Sequence, residues 1–193
     1  MAPPNAHPFG ILAVQGDFEM HARMLSRIGA PWKLVKRAAD FDGIAGLIMP
    51  GGESTTMLKF FAEEGLGQPV KDFVGRGQPV FGTCAGAILL ATEATNPPQE
   101  SLGLLDITIE RNAYGRQVDS SVRRGECPEL SDHPIQMVFI RAPIIRRVGE
   151  GVRVLGRADG LPVLVQKGNV IASTFHPELT DDETIHRYFL LQR

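Results

Sequence analysis

The chain has 193 residues, a formal net charge of −2, 43% hydrophobic side chains and 22% charged ones. That length buries a substantial core, that balance excludes extended disorder, and no basic surplus marks a nucleic-acid footprint. Two cysteines, Cys84 and Cys127, cannot build a disulfide framework, form no Cys-x-x-Cys pair, and fit a reduced, cytoplasmic setting.

In chain order, residues 1–9 hold three prolines, no Lys or Arg and no apolar block. They read as a flexible tail, not a signal peptide, ahead of one domain over 10–193. No apolar run reaches the ~18 residues of a membrane span. Residues 11–15 are a short apolar run closed by Gly16, which predicts a buried strand. After Asp17, Phe18, Leu25 and Ile28 fall at helical spacing up to Gly29. Residues 32–35 form a second strand. Residues 43–49 are nearly all apolar, as in a strand covered on both faces, and lead into Pro50-Gly51-Gly52. Ser54 or Thr55 can cap a helix running to about Phe61, and 70–74 is a further helical piece. Residues 79–81 read as a strand, 82–86 as a sharp turn and 87–91 as the start of a helix.

This alternation predicts a parallel sheet, so the expected fold class is α/β, a three-layer sandwich with a mostly parallel central sheet. The second half is different. Short strands are expected at 107–109, 136–140, 152–155, 162–166 and 170–175, with Lys167-Gly168-Asn169 as a hairpin turn. Thr180-Asp181-Asp182-Glu183 reads as a capping box opening a last helix to about Leu191. Between Arg111 and Arg157 lie nine arginines and five acids, a local charge of +4 that leaves −6 elsewhere. Arginine suits carboxylate or phosphate recognition, but most of these nine read as a solvated face.

Gly82-Thr83-Cys84-Ala85-Gly86 follows a strand and precedes a helix, the setting of a nucleophile elbow with Cys in place of Ser. The helix N-terminus favours the thiolate, and the Ala85 N–H becomes an oxyanion donor. The competing reading is a structural Cys in a Gly-rich turn. A cysteine nucleophile needs a base and a group to orient it. Among five histidines, His176 ends an apolar strand ahead of Pro177, and in extended backbone Glu178 projects on its side. His176 is therefore the candidate base and Glu178 its orienting carboxylate. Cys127, between Glu126 and Pro128, has neither context. Pro50-Gly51-Gly52-Glu53-Ser54-Thr55 lies at the carboxyl end of a buried strand, where open α/β sheets bind ligands. Gly52 can supply the second oxyanion N–H. A phosphate loop is disfavoured because no Gly-Lys-Ser/Thr follows, and no ligand cluster has metal spacing.

These elements resemble the class I, triad-type glutamine amidotransferases, whose fold is flavodoxin-like. Six blocks resemble, more narrowly, the glutaminase subunits of pyridoxal 5′-phosphate synthases. They are Pro50-Gly51-Gly52-Glu53-Ser54-Thr55-Thr56-Met57, Phe81-Gly82-Thr83-Cys84-Ala85-Gly86, Glu110-Arg111-Asn112, Gly115-Arg116-Gln117-Val118-Asp119-Ser120, Phe139-Ile140-Arg141-Ala142-Pro143 and Phe175-His176-Pro177-Glu178-Leu179-Thr180. The resemblance implies hydrolysis of L-glutamine to L-glutamate and ammonia by Cys84, His176 and Glu178. It implies glutamine binding by Gly52, Glu53, Ser54, Arg111, Ile140 and Arg141, with no cofactor and no metal. It further implies that the ammonia passes to a lyase/synthase subunit on a dodecameric core, which makes pyridoxal 5′-phosphate from two sugar phosphates.

An arginine such as Arg111 or Arg141 can hold the substrate carboxylate, and Glu53 can equally serve its helix N-terminus. Gln15, at the end of the first predicted strand, is a candidate for sensing the partner. The Gly51–Gly52 peptide is expected to turn its N–H inward on docking. Competing readings are a cysteine sensor on a similar fold, a non-catalytic binding subunit and a stand-alone γ-glutamyl hydrolase.

Overall fold

Period-two alternation divides the central strands between two hydrophobic cores, one on each face of a sheet. The structure, a computed structural model, describes residues 7–113 and 120–192. Most of the predicted block at 115–120 therefore lies outside the described residues, as do residues 1–6 of the expected tail.

The first half alternates as predicted. It comprises β1 (Phe9–Leu12), α1 (Phe18–Ile28), β2 (Trp32–Val35), a 3₁₀ turn at Ala38–Phe41, β3 (Leu47–Met49), α2 (Ser54–Glu63), α3 (Gly67–Gly75), β4 (Val80–Thr83) and α4 (Ala85–Leu90). The second half is richer in strands: β5 (Ala91–Thr95), β6 (Leu105–Glu110), β7 (Ser120–Gly125), β8 (Ile135–Ile140), β9 (Ile144–Val148), β10 (Arg153–Ala158), β11 (Leu161–Lys167) and β12 (Val170–Ser173). A 3₁₀ turn at Pro177–Leu179 and α5 (Thr184–Leu190) close the described chain.

The central sheet runs β10-β11-β12-β4-β3-β1-β2. From β12 to β2 every pairing is parallel, and β10 and β11 join antiparallel. Leu12, Leu47, Met49, Val80 and Ala172 face a core shared with α2, α3 and α4. Phe9, Ile11, Ile48, Phe81 and Ile171 face the other, shared with Leu25 of α1 and Ile185 and Phe189 of α5. Helices on both faces of a mostly parallel sheet make the expected three-layer sandwich. Phe81 is fully buried against Phe189 at 5.7 Å, and truncating such a side chain costs about 3–5 kcal/mol.

Several boundaries differ from the sequence reading. The first strand starts at Phe9, inside the expected tail, because Phe9 is 2% exposed and fills the α5-side core. It ends at Leu12, so Gln15 lies in the loop beyond it. The helix after the elbow starts at Ala85 and ends at Leu90, and the alanine-rich segment that follows becomes β5 by pairing with β6. Tertiary pairing there overrides helix propensity. The last helix lacks the predicted capping box. Instead Thr180 Oγ1 accepts from Asp182 N–H, and the Asp182 carboxylate accepts from Thr184 N–H. The hairpin turn at Gly168 and Asn169 stands as predicted, with Lys167 opposite Val170. Surface ion pairs hold several arginines of the basic stretch: Arg123 with Asp159, Arg146 with Glu110, Arg147 with Asp106 and Arg153 with Glu129. No helix among the described residues is long and apolar enough to cross a membrane.

Candidate active site

The parallel strands β4, β3, β1 and β12 all end on one edge of the sheet, and the predicted residues gather there. Cys84 follows β4 at φ 48° and ψ −102°, a strained turn that only tight packing sustains. Adjacent space is minimal: a Cβ on Gly86 would lie 2.1 Å from the Met49 carbonyl oxygen, so only glycine fits. The elbow thereby sets Cys84 at the N-terminus of α4, beside the Ala85 N–H.

His176 follows β12 and is 3% exposed. Its Nδ1 lies 2.7 Å from Glu178 Oε1. The pairing is as predicted, but its cause is not alternation in extended chain. Glu178 sits in the 3₁₀ turn Pro177–Leu179, and that turn brings its carboxylate back to the ring. Burial disfavours charge on His176, yet hydrogen bonds to Cys84 and Glu178 outweigh it and raise its pKa to about 10. His176 can therefore rest as an imidazolium beside Cys84. Burial pushes the Glu178 carboxyl up, opposed by its bond to His176.

The loop after β3 closes over this pair. A Cβ on Gly51 would lie 2.3 Å from His176 Cε1 and 3.4 Å from Cys84 Cβ, so the backbone passes directly against the ring edge. The Gly51 carbonyl accepts from Asp17 N–H at 3.1 Å. Among the described residues the Gly52 N–H has no protein acceptor. Gln15 Oε1 accepts from Glu53 N–H at 2.9 Å, which ties Gln15 to the same loop.

Glu53, rather than Ser54 or Thr55, caps α2. Its carboxylate accepts from Thr55 N–H, Thr56 N–H and the Thr56 hydroxyl at 2.7–3.0 Å. Burial opposes its charge, but these hydrogen bonds lower its pKa to about 2. Ser54 is buried and donates its hydroxyl to Gln99 Oε1 at 2.9 Å.

Both candidate arginines reach the cavity, in different states. Arg111 is 9% exposed, donating to the Pro97 carbonyl and to Thr55 Oγ1. Arg141 is exposed at φ 45°, with no ion pair among the described residues. The Ile140 carbonyl faces Cys84 Sγ at 3.9 Å. Together Gly52, Glu53, Ser54, Cys84, Arg111, Ile140, Arg141 and His176 line a cavity of about 170 Å³. That volume suits a small zwitterion.

Sequence reasoning missed four residues. Asp17 and Asn112 also line this cavity, and Asp17 Oδ2 lies 3.8 Å from His176 Nδ1. Asp17 was legible only as a helix start, where its side chain caps nothing. His21 and His186 lie behind Glu178. Their signal was a histidine on the apolar face of each helix. Asp17, His176 and Glu178 bring ligand-type atoms within 4.8 Å of one another, a grouping invisible in sequence spacing. Its Nδ1 and Oε1 are already committed to each other. A larger cavity of about 390 Å³, lined by Met20, Arg23, Met24, Arg27 and Gln136, lies on the other side of Glu178 and contains no thiol.

The chain resembles known proteins along almost its whole length. The model of the SNO glutamine amidotransferase family matches residues 11–193. A pyridoxal 5′-phosphate synthase subunit PdxT from Solibacter usitatus is 52% identical over 186 residues, 94% of this chain and 96% of that protein. A crystal structure of a glutamine amidotransferase superposes with a TM-score of 0.90 at 49% identity, covering 95% of this chain and 97% of the other. PurLQS from Thermotoga maritima, at 16% identity and a TM-score of 0.73 over 96% of this chain and 98% of that one, shares the fold. The chain belongs to the SNO glutamine amidotransferase family and is a glutamine-hydrolysing enzyme of the class I, flavodoxin-like type.

Proposed function

We propose that Cys84, His176 and Glu178 hydrolyse L-glutamine to L-glutamate and ammonia, and that the ammonia passes to a synthase subunit making pyridoxal 5′-phosphate. One observation carries the reading: the 2.7 Å contact of His176 with Glu178, on a ring that lines the same cavity as a strained elbow cysteine. A neighbouring histidine would also suit a thiol sensor, but the carboxylate that orients it and the two arginines of the cavity favour an acyl substrate. The names of the relatives supply the synthase.

The Cys84 thiolate attacks the carboxamide carbon, forming a C–S bond and moving the carbonyl π pair onto oxygen. The N–H groups of Ala85 and Gly52 stabilise that oxyanion. Imidazolium His176 gives its proton to the leaving nitrogen, the C–N bond breaks and ammonia departs. His176 then takes a proton from water, which attacks the γ-glutamyl thioester. The C–S bond breaks, and glutamate and thiolate are released. Glu178 holds one tautomer and steadies the imidazolium. Arg111, fixed by its neighbours, is pre-organised for the substrate carboxylate, and the Ile140–Arg141 segment closes the opposite wall. Glu53 acts chiefly by ordering the helix start, leaving the Ser54 N–H available to substrate.

The partner is a synthase subunit, with a dodecameric core as the family's arrangement, and pyridoxal 5′-phosphate is the product of the complex. No cofactor is needed, and the reaction fits a cytoplasmic setting. Docking turns the Gly51–Gly52 peptide to complete the oxyanion hole, with Gln15 holding the loop. A glutaminase assay with and without the synthase subunit tests the reading. Glutamate release that depends on Cys84 and rises with the partner supports it. Full activity without Cys84 contradicts it.

A further inference from the structure

Three fully buried polar side chains behind Glu178 have no part in the reaction above. His21 lies in the first turn of α1, His186 on α5 and Thr83 at the end of β4, next to the nucleophile. His21 Nδ1 is 2.9 Å from His186 Nε2. His21 Nε2 is 3.3 Å from Thr83 Oγ1 and 3.5 Å from Glu178 Oε1, the same oxygen that meets His176. Three elements thus meet at His21, which alone of the three side chains lies against the carboxylate.

The hydrogen-bonding options fix the tautomers. One hydrogen must lie between the two imidazoles. If His21 donated it, neutral His186 would carry its hydrogen on Nδ1, which is buried and has no partner among the described residues. A bare His21 Nε2 would then face the Glu178 carboxylate. If His186 donates from Nε2, its Nδ1 is an unpaired acceptor, and His21 carries a hydrogen on Nε2. Buried orphan N–H groups are rarer than under-satisfied acceptors. The second arrangement wins on both counts. It directs the His21 Nε2–H at Thr83 Oγ1, with Glu178 Oε1 beside it at 3.5 Å.

Charge leads to the same place. Burial, with His186 and His176 nearby, holds His21 well below the ordinary histidine pKa, and burial, then Arg27, lowers His186 to about 3. Glu178 needs help to remain an anion. Its Oε2 is buried without a partner, and burial and Asp17 both push its carboxyl up. A neutral donor supports the anion without competing, as a second cation would, with the His176 imidazolium. The titratable groups facing this cluster among the described residues are His176 just before the 3₁₀ turn and Glu178 within it, His186 on α5, and Asp17 and Arg27 at the two ends of α1.

We infer that His21 is a positioning residue for Glu178, a neutral imidazole whose Nε2–H keeps that carboxylate ionised and in place. His186 fixes its tautomer, and Thr83 ties it to the nucleophile elbow. The inference rests on the reading of Glu178 as the orienting carboxylate.

The test is kcat and KM for glutamine against pH in the assembled complex, for wild type, His21→Leu, His21→Gln and Glu178→Gln. His21→Leu lowers kcat about tenfold, leaves KM unchanged and moves the acid limb up by about one pH unit, because Glu178 becomes harder to ionise. His21→Gln, whose amide N–H can replace Nε2–H, restores most of both. Unchanged kcat in Glu178→Gln would overturn the carboxylate's role itself. A large loss in Glu178→Gln beside an unmoved acid limb in His21→Leu would overturn only the role of His21. Nitrogen NMR of the wild-type imidazoles gives a readout independent of activity and of variant folding. The account requires His21 neutral with its hydrogen on Nε2 from about pH 5 to 8. An imidazolium, or a hydrogen on Nδ1, overturns it.

Discussion

His176 and His21 approach the same oxygen of Glu178, at 2.7 and 3.5 Å, yet the protein drives their charges in opposite directions. Both are buried, and burial alone lowers a histidine pKa. His176 escapes because it also meets a thiol, and its pKa rises to about 10. His21 meets another histidine instead and stays neutral. Burial therefore supplies the strength of these interactions, and the second partner decides their sign. The front of the carboxylate is built to carry a proton, and the back to carry none.

The largest effect expected on the front side is that of the nucleophile. Cys84→Ala abolishes hydrolysis, a loss of at least about 10⁴ in kcat, with thermal stability nearly unchanged. Cys127→Ala leaves hydrolysis unchanged, because that thiol is buried away from the cavity and burial raises its pKa to about 11, and it lowers thermal stability through the packing lost from the core. Appreciable turnover by Cys84→Ala, measured with the synthase subunit present, would break the front-side account.

Next come the two residues that share the 2.7 Å contact. His176→Asn removes the proton carrier, and Glu178→Gln removes the charge behind it, costing about 10²–10⁴ in kcat with little change in KM. The double variant loses little beyond His176→Asn alone. Losses that multiplied in a kinetic double-mutant cycle would mean that the two act independently.

Partner control is smaller. One missing oxyanion donor costs about 10²–10³ in kcat, so hydrolysis by the free chain rises by about that factor when the synthase subunit is added. Glutamine and the partner then favour each other's binding, because coupling is reciprocal. Equal kcat/KM in both conditions would show a preformed hole and a loop that is no switch.

The smallest effect reads the back side through stability. The unfolded chain protonates His186 below about pH 6.5, whereas the folded chain resists until about 3. Stability is therefore lost as pH falls through that window. His21 acts in the same direction. Glu53 adds to the loss only below its ordinary 4.5, since its folded value is about 2. Thermal melting should accordingly begin to fall near pH 6.5, and His186→Gln should flatten the decline between about 6.5 and 4.5. His176 works the other way. Its raised pKa stabilises the fold below 6.5, and that contribution is lost as pH rises towards 10. A melting curve flat from 6.5 to 4.5 in the wild type would mean that the two back-side histidines are not held neutral.

Much of the front side was legible because it consists of local signals. A glycine either side of Cys84 and a His-Pro-Glu after an apolar run are chain-adjacent patterns, and strand ends deliver them to one edge. The back side was not legible. His21 and His186 stand 165 positions apart, and only the packing of α1 and α5 against one face of the sheet joins them. The same limit explains β7 and β9. Ser120–Gly125 is polar and survives by pairing with β8, while Ile144–Val148 follows a proline and pairs with β6. Glu53 was misjudged in part for a different reason. A glutamate is a less usual cap than the Ser and Thr beside it, and only geometry shows which oxygen reaches the helix N–H groups.

The most direct test is covalent labelling with an electrophilic glutamine analogue in the presence of the synthase subunit, followed by peptide mass spectrometry. The account predicts one adduct, on Cys84, suppressed by excess glutamine and formed far more slowly in His176→Asn. An adduct on Cys127, or undiminished hydrolysis after Cys84 is fully labelled, would contradict it.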